Sequence, residues 1–122
     1  MDLYREEILE HYKHPQNFGE LAVVSTKARE ANASCGDLIE LQLRLRDLTI
    51  AEVRFKGVGC ALSIAATSML TVELKDKRVE EALRLDEGFM LDLLGVDVSS
   101  MRMKCVMLPL RALKRALGEV AK

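Results

Sequence analysis

From position 39 the chain alternates strictly: Ile39, Leu41, Leu43 and Leu45 fall on one side, and Glu40, Gln42, Arg44 and Arg46 on the other. A period of two belongs to a β-strand with one buried and one wet face. Asp47-Leu48-Thr49 breaks the pattern, after which Ala51, Val53 and Phe55 alternate with Glu52, Arg54 and Lys56 as the returning arm of a hairpin. Upstream, the β-branched Val23, Val24 and Thr26 suggest a first strand, although they alternate poorly. Before it, Leu3, Tyr4, Ile8, Leu9 and Tyr12 recur with a helical period that Pro15 closes. No strand pattern returns after Ala61, and helices are expected over 61–75, 79–85, 87–94 and 103–120. In the last of these Leu110, Leu113, Leu117 and Val120 share a face, and Pro109 lies near its start or kinks it. Strands first and helices after predict an α+β domain, a small antiparallel three-stranded sheet with helices packed on one face.

Composition narrows this picture. A chain of 122 residues, 49% of them hydrophobic, is sized for one domain over 1–122 with its own core. Eighteen basic against nineteen acidic residues leave no cationic excess for a phosphate backbone, so nucleic acid is not an expected partner. The opening Met1-Asp2-Leu3-Tyr4-Arg5-Glu6-Glu7 turns acidic at once, unlike a secretory signal, and a cytoplasmic home is expected. The apolar run from Cys60 to Leu74 is interrupted by Ser63, Thr67, Ser68, Thr71 and Glu73, which reads as a buried helix and not a membrane span. Three cysteines in such a chain argue against a disulfide framework and open thiol or metal chemistry, with plain burial as the simpler alternative.

Each cysteine falls at the edge of a predicted element. Cys35 sits in the turn-forming run Asn32-Ala33-Ser34-Cys35-Gly36-Asp37, where Gly36 can take positive φ and turn both neighbours to one side. Cys60 follows Gly57-Val58-Gly59 at a strand-to-helix junction, where free N–H groups and the helix dipole favour a thiolate. Cys105 follows Arg102-Met103-Lys104 near the expected start of the last helix, with two cations and a second helix N-terminus beside it. The gaps of 25 and 45 residues match no CxxC rule, so spacing alone does not assemble a site. The ligand types say more. Cys35, Asp37, Cys60 and Cys105 form a four-ligand set suited to tetrahedral Zn(II) or to a [2Fe-2S] cluster. Soft thiolates hold these ions better than carboxylate does, so Asp37 is the weak and partly exposed ligand expected of a centre that is assembled and then surrendered. His11 and His14 read as capping or surface residues, Met69, Met90, Met101, Met103 and Met107 as core fillers, and Ala61, Ser63, Ala65, Ala66 and Ser68 as a close-packing face.

Three blocks, Ser34-Cys35-Gly36-Asp37, Gly57-Val58-Gly59-Cys60-Ala61-Leu62-Ser63-Ile64-Ala65-Ala66-Thr67-Ser68-Met69 and Arg102-Met103-Lys104-Cys105, resemble the signatures of the U-type iron-sulfur scaffold family (IscU, SufU and the N-terminal domain of NifU). Leu3-Tyr4 to His11-Tyr12, with Pro15, Asn17 and Gly19, resembles that family's first helix and loop. The resemblance implies Cys35, Asp37, Cys60 and Cys105 as ligands of a transient [2Fe-2S] cluster or of Zn(II). It implies a scaffold more than an enzyme, one that accepts sulfur from a PLP-dependent cysteine desulfurase and passes a cluster to apo-proteins, with Cys105 as first persulfide acceptor. A homodimer around a shared cluster is one arrangement it leaves open. If the chain is an enzyme, the resemblance implies a zinc-dependent sulfurtransferase. Lys104 stands where the Isc branch has histidine, Val98-Ser99-Ser100-Met101 where that branch has its chaperone-binding Leu-Pro-Pro-Val-Lys, and Ala33 where proline is common. Arg102 and Lys104 resemble the SufU branch, whose usual insertion between the second and third cysteines is absent here.

Overall fold

The computed structural model describes residues 3–34 and 36–120. Cys35 lies outside the described residues. In chain order the elements are α1 (Leu3–Lys13), β1 (Thr26–Asn32), β2 (Asp37–Arg46), β3 (Thr49–Val58), α2 (Ala61–Leu74), α3 (Val79–Leu83), α4 (Glu87–Leu94) and α5 (Ser100–Val120). The three strands form one antiparallel sheet in the order β1-β2-β3. Helices cover one face of it, as the α+β expectation has it.

The β2–β3 hairpin forms where the alternation places it. Asp47 and Leu48 both take positive φ, 50° and 62°, the geometry of a tight two-residue hairpin turn. Ile39, Leu41, Leu43, Val53 and Phe55 are buried beneath the helices. A register shift between Arg44 and Leu45 brings Ile50 into the core as well. The opposite face is drier than alternation implies, because Glu40 and Gln42 are 6% and 4% exposed. The segment between α1 and β1 crosses over them. Phe18 bridges to Phe55 along the free edge of β3, the two rings meeting edge to face at 5.2 Å. Leu21 N–H then donates to Gln42 Oε1 at 2.9 Å, and Ser25 N–H to the Leu43 carbonyl at 2.8 Å. The same path corrects the first strand. It begins at Thr26, while Val23 and Val24 lie in the crossing segment and stay exposed.

α2 runs through the middle of the molecule and is buried from Ser63 to Thr71. Its small residues let neighbours approach closely on every side, and its hydroxyls are satisfied: Thr67 Oγ1 donates to the Ser63 carbonyl and Thr71 Oγ1 to the Ser68 carbonyl, each at 2.7 Å. α1 packs on α2, yet only Ile8 of its apolar positions is buried, while Leu3, Tyr4, Leu9 and Tyr12 remain exposed. His11 belongs to this contact and is no cap: its Nδ1 lies 2.6 Å from Ser68 Oγ, which also accepts from Gln16 N–H. α5 starts three residues earlier than expected, because Ser99 accepts the N–H groups of Arg102 and Met103 through its carbonyl. Pro109 therefore lies inside the helix. Met69 and Met90 are core fillers, whereas Met101 is 83% exposed.

Candidate metal centre

The site forms where the second strand begins and the third ends, because these two ends pair. Leu38 of β2 stands opposite Val58 of β3, so Asp37 and the Gly59-Cys60 junction meet at one end of the sheet. Asp37 is 2% exposed, and its Oδ1 accepts the backbone N–H of Cys60 at 2.9 Å. The expectation of a partly exposed aspartate is thus corrected, since the pairing carries it beneath the Gly59-Cys60 junction. Gly59 makes the approach feasible: a Cβ there would come within 2.5 Å of Ser63 Oγ and 2.8 Å of Asp37 Oδ1.

Cys60 is the N-cap of α2, extended at φ −70° and ψ 165°, and its sulfur accepts the N–H of Ser63 at 3.4 Å. That arrangement is the thiol counterpart of a serine cap, and it aims the sulfur at the positive end of the helix dipole. Asp37 Oδ2 lies 3.9 Å from Cys60 Sγ, and Ser63 Oγ 3.8 Å from it. Ser63 was not among the expected site residues, although its place three positions after the cap is the usual signal of a capping partner.

Cys105 reaches the same place from α5. It is 2% exposed and sits in the helix's second turn, not at its start, because Ser99 begins the helix earlier. The orphan N–H groups of the helix end therefore lie before it. Of the two cations expected beside it, Arg102 lines a cleft of about 210 Å³ together with Cys60, Cys105 and the exposed Met101. Lys104 does not line that cleft and faces solvent. A larger cleft of about 680 Å³ lies between Tyr4 and the end of α4, and it contains none of the candidate ligands.

Asp37, Cys60 and Cys105 each offer a ligand atom, and these atoms lie within 4.8 Å of one another. Ligands around a tetrahedral Zn(II) with Zn–S near 2.3 Å are separated by about 3.8 Å, so three donors at this spacing fit one ion after small side-chain rotations. A two-iron cluster spreads its ligands further and needs a fourth donor. Cys35 is two residues before Asp37, beyond Gly36 at φ +72°. The donor chemistry fits both groups, and these three residues stand close enough to share a single ion after such rotations.

No helix among the described residues is long and apolar enough to cross a membrane. The family model of the NifU-like N-terminal domain matches residues 3–122. The chain is 31% identical over 115 residues to the iron-sulfur cluster assembly scaffold protein IscU 1 of Archaeoglobus fulgidus, covering 94% of this chain and 74% of that protein. It is 33% identical over 134 aligned positions to the zinc-dependent sulfurtransferase SufU of Bacillus subtilis, covering 96% and 90%. Among solved structures, a protein of Fervidobacterium islandicum described as a cluster assembly scaffold of the SUF system superposes with a TM-score of 0.82 at 26% identity, covering 92% and 94%.

Proposed function

The chain belongs to the NifU-like N-terminal domain family, and from that membership we propose that it is a scaffold on which a [2Fe-2S] cluster is built and from which it is passed to apo-proteins. The observation that carries the reading is the convergence of one carboxylate and two thiols from three separate elements within 4.8 Å, at one end of the sheet. Cys35, outside the described residues, is the fourth ligand in this reading.

Sulfur arrives as a persulfide on a cysteine desulfurase. The Cys105 thiolate attacks the outer sulfur of that persulfide. A new S–S bond forms at Cys105, the donor's S–S bond breaks, and the desulfurase cysteine leaves as a thiol. Because Cys105 is buried, the incoming sulfur enters through the cleft that it lines with Cys60, Met101 and Arg102. Two sulfane sulfurs take up four electrons in becoming the sulfides of an oxidised cluster. Two Fe(II) ions supply two of these, and an external electron donor supplies the rest. Asp37 is the ligand that yields: its oxygen is a hard donor among soft ones, so the exchange that hands the cluster on begins there.

One observation favours a second reading, a zinc-dependent sulfur acceptor. The three donors stand close enough to share one ion after small rotations, and the Bacillus subtilis relative is named as zinc-dependent. Anaerobic reconstitution with a cysteine desulfurase, cysteine, Fe(II) and a dithiol as the external electron donor, followed by an apo-ferredoxin, separates the two. The scaffold reading expects a [2Fe-2S] chromophore that appears on this chain and then moves to the ferredoxin. Tightly held zinc with no chromophore would replace it with the second reading.

A further inference from the structure

Asn32 closes β1 and stands opposite Asp37 in the pairing of β1 with β2. It is 7% exposed. Ser34 Oγ–H donates to its Oδ1 at 2.8 Å, which turns the amide nitrogen the other way. Among the described residues, Asn32 Nδ2 is the buried side-chain polar atom left without a hydrogen-bond partner. Folded proteins keep few such groups, and each calls for an explanation.

The position of Asn32 indicates which acceptor. Alternate residues of β1 face α5: Thr26 Oγ1 donates to the Ala116 carbonyl at 2.8 Å, and Glu30 holds both Arg111 and Arg115. Asn32 is the next residue in that series, and it is buried. Thr26 to Asn32 spans about 20 Å of strand. That matches about 13 residues of a parallel helix and fewer of a crossed one. Whatever the crossing angle, Asn32 is the cross-strand partner of Asp37, itself a candidate ligand. The orphan donor and the candidate ligands therefore share one end of the molecule.

We propose that Asn32 is a positioning residue of the loaded site, its Nδ2 donating an N–H···S hydrogen bond to a sulfur of the bound metal centre. The inference rests on reading Asp37, Cys60 and Cys105 as ligands. Metal binding deprotonates the thiols, which converts weak neutral acceptors into charged ones. The donor is unpaired before loading and paired after it. Hydrogen bonds of this kind orient metal ligands and tune the centre, and their loss typically weakens metal binding by about 10–100-fold.

A packing role and a donor role make opposite demands on Asn32→Leu, a swap of similar size without polar atoms. If Asn32 serves the loaded site, the metal-free variant melts at or above the wild-type temperature, because an unsatisfied donor has been removed. The Zn(II)-loaded variant then releases its metal to a chelator about tenfold faster or more, and the sulfur-to-cobalt charge-transfer bands of the Co(II) form shift. Asn32→Asp, of the same shape with no donor, also releases Zn(II) faster. Zinc release at the wild-type rate from either variant overturns the proposal. So does an equal drop in melting temperature for the metal-free and loaded forms of Asn32→Leu, which would assign the residue to packing. Wild-type protein that binds neither Zn(II) nor Co(II) would instead remove the ligand reading, and this inference with it.

Discussion

A carboxylate held by a backbone N–H, as Asp37 is by Cys60, is fixed in direction but remains a hard donor beside two soft ones. Its replacement by alanine has two consequences of different sign. The Cys60 N–H loses its acceptor, which costs on the order of 1–3 kcal/mol in the metal-free fold if it stays buried. In the proposed scaffold role, the loaded site also loses the oxygen ligand from which exchange would start. Asp37→Ala is therefore expected to transfer its cluster to an apo-ferredoxin more slowly than wild type, followed as the change in visible absorbance or circular dichroism. Equal or faster transfer would remove the role assigned to Asp37. At this scale the candidate ligands are legible in the sequence, because turn formers such as Gly36 and Gly59 mark the element ends where Asp37 and Cys60 sit. The burial of Asp37 is not legible, since it depends on the pairing of β2 with β3. Asn32 is hidden for the same kind of reason: next to Ala33 and Ser34 it reads as a turn former, and its burial arises only in the folded chain.

Helix and strand ends fix where these residues meet. Gly95 ends α4 in the left-handed conformation, φ 70°, and a Cβ there would lie 2.2 Å from the Tyr4 ring on α1. Gly95→Ala combines left-handed strain of about 1–3 kcal/mol with a clash that displaces the half-exposed Tyr4 ring. Chemical denaturation should show it destabilised by at least about 1 kcal/mol, and an unchanged midpoint would mean that Gly95 does not end α4 in the left-handed conformation. The hairpin is legible because its apolar residues alternate up to the turn, and α2 because an apolar run of its length reads as a buried helix. β1 is not, because its inward positions are Thr26, Ala28, Glu30 and Asn32. A strand normally hides apolar residues on that side, but here α5 supplies a carbonyl for Thr26 and two guanidinium groups for Glu30. The early start of α5 is missed because Ser99 and Ser100 sit in a polar stretch with no apolar period to announce a helix.

Over the whole molecule, the covered outer face of the sheet ties stability to pH. The hydrogen bond from Gln42 is the largest influence on Glu40. With that of Arg29 and the charges of Lys56 and Arg29, it outweighs burial and holds the carboxyl below its ordinary 4.5. Glu40 is thus more acidic folded than unfolded, and its stabilisation is complete above the unfolded value and lost as pH falls through the folded one. Denaturation midpoints measured from neutral pH down to about pH 3 should decline for wild type, and the decline should be shallower in Glu40→Gln. Parallel curves would show that the charge of Glu40 contributes nothing. The ion pair of Lys56 with Glu20 belongs to the same face and fastens the crossing segment to β3. This face backs the sheet end that carries Asp37 and Cys60, so the site rests on a sheet held from both sides.

The central claim is that this end of the sheet assembles a cluster and does not merely hold an ion. The most direct measurement is the iron and acid-labile sulfide retained per chain after desulfurase-driven anaerobic reconstitution and gel filtration, compared between wild type, Cys60→Ser and Cys105→Ser. Iron and sulfide are expected in equal amounts on the wild-type chain, and neither on the two variants. Sulfide-free protein carrying zinc, or variants that retain the cluster as wild type does, would contradict it.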